Sequence, residues 1–176
     1  MKPELDERLC TAYPEIFAER HLSMDKTAMC WGFACGDGWF NILDRLCAVI
    51  MSDYTLAKDR YAWVQKRLAE GESGPYVNDE VLAQNKLDME AAVPPVAKQV
   101  KEKFGTLRFY TEGASADVGA SERQEAYVRL AEALSAVTCE VCGAPGKRGG
   151  HGYIRTLCES CREKDNASDT RPDSGY

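Results

Sequence analysis

Apolar residues recur at three- and four-residue steps through a long stretch in the first half of the chain, residues 38–70. Such spacing is typical of a helix with one apolar face. At a rise of about 1.5 Å per residue, this helix would be roughly 50 Å long. Asp37 precedes it and is of a residue type that caps helix N-termini. The apolar face comprises Trp39, Ile42, Leu43, Leu46, Ile50, Tyr54, Ala57, Tyr61, Val64 and Leu68.

Three shorter apolar stripes predict further helices, at residues 4–20, 78–91 and 121–137. Pro14 interrupts the first stripe, and because proline suits the first turn of a helix, a second short helix is expected to begin there. Residues 21–37 show no sustained period and are expected to form an ordered loop. The expected inward-facing residues are Val81, Leu82 and Leu87 in the second stripe and Tyr127, Leu130, Leu134 and Val137 in the third.

The pattern changes after the paired prolines at 94–95. Residues 106–111 alternate between apolar and polar side chains and include aromatics, which predicts a half-buried strand. Residues 96–104 fit the period of a strand or that of a helix. A β-hairpin that turns at residues 104–105 is favoured over a helix joined to a strand.

Four cysteines stand in two Cys-x-x-Cys pairs that are separated by fifteen residues. They are Cys139, Cys142, Cys158 and Cys161. Each pair can present two thiolates from one tight turn, and the glycines between the pairs allow a short hairpin to bring them together. Four thiolates suit tetrahedral Zn²⁺, and a closed shell of four protein ligands marks a structural site. A redox pair, an iron–sulfur cluster and unpaired buried thiols are the alternatives.

These elements predict an α+β fold: a mostly helical body with a long central helix, a small β-hairpin, and a C-terminal treble-clef or ribbon-type zinc finger. The predicted division begins with a helical region at 1–93. A hairpin with a helix packed on it follows at 94–137, then the zinc finger at 138–164 and a polar, disordered tail at 165–176.

The other four cysteines lack a metal-binding spacing. Cys10, Cys30, Cys35 and Cys47 are interpreted as buried free thiols, which are common in protein cores. A second metal site that recruits His21 stays open as the alternative.

Charge is unevenly distributed along the chain, whose net charge is −6. Residues 1–93 hold ten Lys and Arg against sixteen Asp and Glu, whereas residues 94–112 and 139–164 are each mildly basic. Duplex DNA binding usually requires a strongly basic face. The charge therefore favours a protein partner and disfavours nucleic acid without excluding it.

Two groups of residues are candidates for contact with a partner. Trp31 and Phe33 belong to a run of four large aromatics that forms either a binding hot spot or an anchor onto the core. Lys147, Arg148 and Arg155, together with His151, form a basic group on the finger that contacts a partner or simply faces solvent.

No motif supports catalysis or a membrane location. With only two histidines, and without GxxxxGK[ST], GxSxG or HExxH, the chain is not expected to be an enzyme. No apolar run approaches the roughly 20 residues that span a bilayer, and the first ten residues lack the apolar centre of a secretory signal. A cytoplasmic location is expected, in which reduced cysteines favour metal over disulfides.

Four segments together resemble a family of small uncharacterised phage and prophage proteins. They are MCWGFACGDGWF (29–40), VKEKFGTLRFY (100–110), CEVCGAPGK (139–147) and IRTLC (154–158). Members of that family commonly close the finger with Cys-x-x-His, whereas this chain has Cys161 in the last position. The resemblance implies an accessory protein that acts inside a bacterial host cell.

Two functions are compatible with these observations. The leading expectation is a phage accessory protein that binds a host protein complex, either to counter host defence or to take over host machinery. The alternative is a nucleic-acid-binding regulator that uses the finger and the basic segment 98–108.

Overall fold

The computed structural model describes residues 1–113, 118–150 and 153–169, and it confirms the α+β class. The helices are α1 (Pro3–Ala12), α2 (Phe40–Ala69), α3 (Asp79–Ala91), α4 (Val118–Ser135) and α5 (Glu159–Asp169). Strands β1 (Val96–Lys103) and β2 (Thr106–Glu112) form one antiparallel hairpin, and β3 (Lys147–Gly149) and β4 (Arg155–Leu157) form another. Short 3-10 turns lie at Ala28–Trp31 and Asp37–Trp39.

The long predicted helix is confirmed as α2, which runs unbroken for 30 residues. It contacts α1, α3 and α4 and so forms the spine of the fold. Each Leu or Ile that it buries stabilises the folded state by about 1.5–3 kcal/mol. The buried residues of α2 are Leu43, Leu46, Cys47, Ile50, Ala57 and Val64.

The helix expected to begin at Pro14 is not formed, and residues 14–20 instead make a series of turns. Ile16 and Phe17 are nonetheless buried in the core. The carbonyl oxygen of Ile16 accepts a hydrogen bond from the backbone N–H of Ala97 in β1 at 2.8 Å. The segment thus covers part of the outer edge of β1. It can do so because the carbonyl oxygen of Ile16 is not engaged in a helix and is available to accept this bond.

Asp37 does not cap α2, contrary to the sequence prediction. Its carboxylate accepts the backbone N–H of Lys2 at 2.7 Å and lies 3.1 Å from the Lys2 ammonium. These contacts, the backbone N–H first, hold the pKa of Asp37 below its ordinary value. The N-cap position of α2 is Trp39, which makes no side-chain capping bond.

The hairpin is confirmed, with its turn at residues 104–105 as predicted. A two-stranded sheet has two open edges, and both are covered here. On the β1 side, Ala34 donates to the carbonyl oxygen of Val100 at 3.0 Å and accepts from the N–H of Glu102 at 2.8 Å. On the β2 side, the hydroxyl of Ser135 in α4 accepts the buried N–H of Leu107 at 2.8 Å.

Of the four residues predicted to face inward in and after α4, Tyr127 packs against the core, but the other three do not. Leu130, Leu134 and Val137 are 58%, 46% and 58% exposed, whereas Ala131 and Ser135 are buried. The reason is the edge of β2: its backbone N–H groups need acceptors, and a buried N–H without one costs about 1–3 kcal/mol. The polar side chain of Ser135 therefore faces the hairpin, and the leucines face outward.

Two smaller expectations also fail. Leu87 of α3 is 59% exposed instead of facing inward. Residues 165–169, expected to belong to a disordered tail, continue α5, and the Asp165 carboxylate accepts a hydrogen bond from Arg155 at 2.7 Å. Residues 170–176, the rest of that predicted tail, lie outside the described residues.

Candidate metal centre

The first cysteine pair lies on a tight turn directly after α4. The N–H of Gly143 donates to the carbonyl oxygen of Cys139 at 2.9 Å, and the N–H of Cys139 donates to Ala144 at 2.7 Å. These bonds fold the chain back, so that Cys139 and Cys142 face the same side. Cys139 is buried, whereas Cys142 is at the surface. We call residues 139–144 the knuckle.

The second pair is presented by the β3–β4 hairpin and α5. Cys158 follows β4 directly, and Cys161 lies in the first turn of α5. A knuckle with two cysteines, a hairpin, and a helix whose start is flanked by the last two cysteines follow one another in the treble-clef order. Of the two predicted finger types, the structure has the treble-clef arrangement.

The four sulfur atoms have the separations that a tetrahedral metal site requires. All lie within 4.8 Å of one another, and the Sγ atoms of Cys142 and Cys158 are 3.7 Å apart. A tetrahedron with metal–sulfur bonds of about 2.3 Å has edges of about 3.8 Å. The cysteines can therefore hold a metal ion after only small adjustments.

The surroundings of the site lower the pKa of Cys139 and of Cys158 and raise that of Cys142 and of Cys161. The pKa of Cys158 falls to about 6, because the hydroxyl of Ser160 and then the backbone N–H and thiol of Cys161 stabilise its thiolate. The thiol of Cys161 keeps its proton, since its hydrogen bond to Cys158 raises its pKa to about 12. A bound metal ion would displace such remaining protons, so metal binding releases protons.

The knuckle packs directly on the start of α2, a contact that the sequence analysis missed. The backbone N–H of Gly38 donates to the carbonyl oxygen of Glu140 at 2.8 Å. The indole N–H of Trp39 donates to the carbonyl oxygen of Thr138 at 2.8 Å. A Cβ atom at Gly38 would lie 2.8 Å from the backbone nitrogen of Cys142 and nearer still to the oxygen of Cys139.

Gly36 is in similarly close contact, since a Cβ atom there would lie 2.8 Å from Cγ of Glu140. The only sequence signal for this packing was the pair of glycines in CGDGW, residues 35–39. Glycine permits such a close backbone approach. The metal centre therefore rests on the body of the protein through main-chain contacts.

The alternative of a second metal site finds no support. Within the described part of the chain, the four cysteines of the finger are the only group of metal-ligating side chains close enough to hold an ion. Burial raises the pKa of Cys10 and of Cys35 to about 12, and it raises that of Cys47 further. These three cysteines are therefore protonated thiols at neutral pH.

The two aromatic candidates for partner contact lie in different surroundings. Trp31 is 71% exposed, as a contact residue would be. Phe33 is buried, and its ring packs edge-on against Phe17 with centroids 5.0 Å apart. Phe33 is thus a core residue, which corrects its assignment to a partner surface.

The basic candidates on the finger also differ from one another. Lys147 and Arg148 are exposed. Arg155 is half-buried, and its guanidinium pairs with Glu140 at 3.3 Å and with Asp165 at 2.7 Å. Arg155 therefore holds the finger together and has little charge left for a partner. His151 lies outside the described residues.

Comparisons with protein-family models, with curated proteins and with solved structures return no match. Among the described residues, the helices are too short or too polar for any of them to cross a bilayer.

Proposed function

We propose that this chain is a non-enzymatic phage accessory protein that uses a structural zinc centre to support a binding surface for a host protein complex. The observation that carries the proposal is an exposed apolar stripe that runs along α4 to the knuckle. It consists of Leu130, Leu134, Val137 and Val141, each between 46% and 58% exposed. Exposed apolar patches of this kind mark sites of protein contact.

The stripe fits an apolar helix face of a partner protein. Leu130 and Leu134 are four residues apart on α4, the spacing with which one helix packs against another, and Val137 lies in the turn that follows the helix. The stripe contains no charged residue, and the nearby Arg129 is paired with Glu125 at 3.3 Å. A partner with a charged surface would bury charges here without compensation, so the occupant should be apolar.

The stripe alone is too small to hold a partner firmly. Completing the burial of its four half-exposed Leu and Val side chains yields about 1 kcal/mol each. The total of about 4 kcal/mol only equals the lower end of the cost of association, about 4–15 kcal/mol. A partner must therefore supply further contacts beyond the stripe.

Zinc is the metal that best suits the finger. Four cysteine sulfurs in a tetrahedral arrangement, with no position left for substrate, are typical of structural zinc sites. The metal would clamp the knuckle, the β3–β4 hairpin and the first turn of α5. In doing so it would fix Val141, which belongs to both the knuckle and the stripe.

The segments that carry the family resemblance meet in space. Ala34 of segment 29–40 pairs with β1 of segment 100–110, and Gly38 bonds to Glu140 of segment 139–147. The hydroxyl of Thr156 donates to the carbonyl oxygen of Gly105 at 2.6 Å. The four segments thus form one contiguous unit around the metal centre. The resemblance to the phage family therefore covers a connected part of the fold.

A duplex-binding regulator is less well supported, because several of its candidate cations are already paired. Lys98 forms ion pairs with Glu19 and with Glu112 at 2.8 Å. Arg108 lies 3.7 Å from a carboxylate oxygen of Glu132. Of the four cations in the basic segment 98–108, these pairs leave Lys101 and Lys103 to neutralise phosphates, and Arg155 of the finger is paired as well. Two cations are too few to give the strongly basic face that a duplex requires.

We expect one zinc ion per chain, and we expect Cys142→Ser to lower the zinc content well below one. Replacement of a thiolate by a hydroxyl removes one of four ligands, whereas Cys30→Ser, a cysteine outside the finger, should leave the content unchanged. Elemental analysis of the purified proteins measures this. Purified protein without metal, or with iron and a visible charge-transfer band, would contradict the zinc assignment.

The partner proposal is tested by affinity purification from nuclease-treated host cells, followed by reconstitution with the purified host protein. We expect wild-type chain and Leu87→Glu to retain the same host protein, and Leu130→Glu to lose it. Leu87 is a matched control because it is 59% exposed on α3, away from the stripe. A host protein retained equally by Leu130→Glu would overturn the stripe as the binding surface. If the wild-type chain instead forms a dimer and Leu130→Glu abolishes that dimer, the stripe binds a second copy of the chain and not a host protein.

A further inference from the structure

The solvent face of the β1–β2 hairpin carries exposed aromatic rings beside lysines. Tyr110 is 42% exposed, and the ammonium of Lys101 lies 5.5 Å from its ring centroid. At the tip of the hairpin, Phe104 is 60% exposed, with the ammonium of Lys103 5.7 Å from its ring. Neither ring is buried in the core, although aromatic side chains stabilise proteins chiefly by burial.

Phe104 also occupies a strained backbone position. Its φ is +53°, and that of the following Gly105 is +79°, so both central residues of the turn are left-handed. Such hairpin turns favour Asn or Gly at the first position, and a bulky residue there is a genuine outlier. Strain of this kind persists where the side chain has a function. The ring of Phe104 is exposed although its backbone conformation costs energy, and this combination indicates that the ring contacts a ligand.

The finger adds a third aromatic residue and more cations next to this tip. The carbonyl oxygen of Gly105 accepts a hydrogen bond from the hydroxyl of Thr156. A Cβ atom at Gly105 would lie 3.1 Å from Cγ of Arg148. The hydroxyl of Tyr153, a residue that is 67% exposed, bonds to Glu102 of β1. The sequence separates these residues by about fifty positions, and only the fold brings them together.

Beside Tyr153 the finger forms an open cleft of ≈ 600 Å³ between the β3–β4 hairpin and α5. Lys147, Arg148 and Arg162 line it, and the guanidinium of Arg162 donates to the carbonyl oxygen of Lys147 at 2.6 Å. Within the described ranges, none of these three cations forms an ion pair with a carboxylate. The same holds there for Lys101 and Lys103.

We propose that these residues form a binding surface for single-stranded nucleic acid. We call it the hairpin–finger surface, and it consists of Phe104, Tyr110 and Tyr153 with Lys101, Lys103, Lys147, Arg148 and Arg162. The unpaired bases stack on the rings, and the phosphates contact the free cations, a combination typical of proteins that bind single strands. This activity is additional to the protein-binding function proposed above and uses different residues.

A single strand fits this surface better than a duplex or an acidic protein does. The bases of a duplex are stacked inside it and cannot reach the rings, whereas every unpaired base offers a face. An acidic protein segment would use the cations but not the aromatic rings. The net charge of −6 opposes long-range attraction to any polyanion, so binding depends on local contacts and should be moderate.

The test measures fluorescence anisotropy of labelled single strands of about 12 nucleotides, oligo-dT and oligo-rU, and of a duplex of equal length. We expect the single strands to bind with Kd below about 10⁻⁵ M in low salt, and the duplex to bind at least about 10-fold more weakly at the same salt concentration. Phe104→Asn should weaken single-strand binding about 10-fold. Tyr76→Asn, which removes a still more exposed ring (79%) from the loop between α2 and α3, should not change it.

The choice of asparagine separates binding from folding. Because asparagine suits the left-handed turn, Phe104→Asn should melt at or above the temperature of the wild type. With up to five phosphates contacted, one by each free cation, the log–log slope of affinity against salt should be no steeper than about −3.5. Preference for oligo-rU over oligo-dT would identify RNA as the ligand. Equal affinity for duplex, affinity unchanged in Phe104→Asn, or no saturation up to about 10⁻⁴ M would each overturn the proposal.

Discussion

Gly38→Ala is expected to displace the knuckle from the start of α2 and to weaken both the fold and the metal site. The new Cβ atom would lie 2.8 Å from the backbone nitrogen of Cys142, and the other near atoms also belong to the backbone. Backbone atoms cannot rotate aside as a side chain does. We therefore expect a loss of about 3 kcal/mol, the upper end of the usual cost of overpacking, and a clear fall in zinc affinity.

Gly74→Ala is the matched control for this prediction. A Cβ atom at Gly74 would meet no atom within 4 Å, so the change should stay within about 0.5 kcal/mol. Denaturant unfolding gives the stability of each variant, and competition with a chromophoric chelator gives the zinc affinity. If Gly38→Ala unfolds and binds zinc like the Gly74 variant, the knuckle does not rest on α2 as described.

Leu46→Asp is expected to have the other large effect, a loss of several kcal/mol in the free energy of unfolding. Leu46 is 4% exposed and lies in the middle of the core that α2 organises. Aspartate there would bury either a charge without a partner or a protonated carboxyl group. At the same time the leucine side chain would lose its packing contacts, which leaves a partly filled cavity.

Leu56→Asp, on the same helix, is the control for Leu46→Asp. Leu56 is 52% exposed, so aspartate at this position remains hydrated and the cost should be about 1 kcal/mol or less. Thermal and denaturant unfolding of the two variants measures the difference directly. Equal stability of the two would mean that the predicted apolar face of α2 does not face the core.

Zinc, the stripe and the hairpin–finger surface depend on one another through the knuckle and the β3–β4 hairpin. Val141 of the stripe lies between two metal-ligating cysteines, and Arg148 belongs to the strand that precedes the second pair. Because structural zinc supplies folding energy to small units of this kind, removal of the metal should loosen both surfaces together. A single metal ion would thus maintain the shape of both proposed binding surfaces.

The elements that the sequence determined by itself are those encoded by short-range patterns. The apolar period over residues 38–70 specified α2, because a 3.6-residue repeat of that length is stable only as a helix with one buried face. The alternation over 106–111, preceded by Gly105, specified the hairpin, although Phe104 is not a residue that such a turn favours. The spacing of the paired cysteines specified the metal cluster, because the short intervals within each pair constrain the local geometry.

Tertiary structure decided which face each element presents and which distant segments meet. The orientation of α4 followed from the need of the Leu107 N–H for the hydroxyl of Ser135, a contact that no helical period encodes. The burial of Phe33 and the exposure of Trp31, two residues apart, depend on what packs against the loop. The close approach of Gly38 to the knuckle and of Gly105 to Arg148 joins segments far apart in the chain. Local sequence sets backbone preference, whereas burial and hydrogen-bond satisfaction depend on the whole fold, and so only the fold could reveal these surfaces.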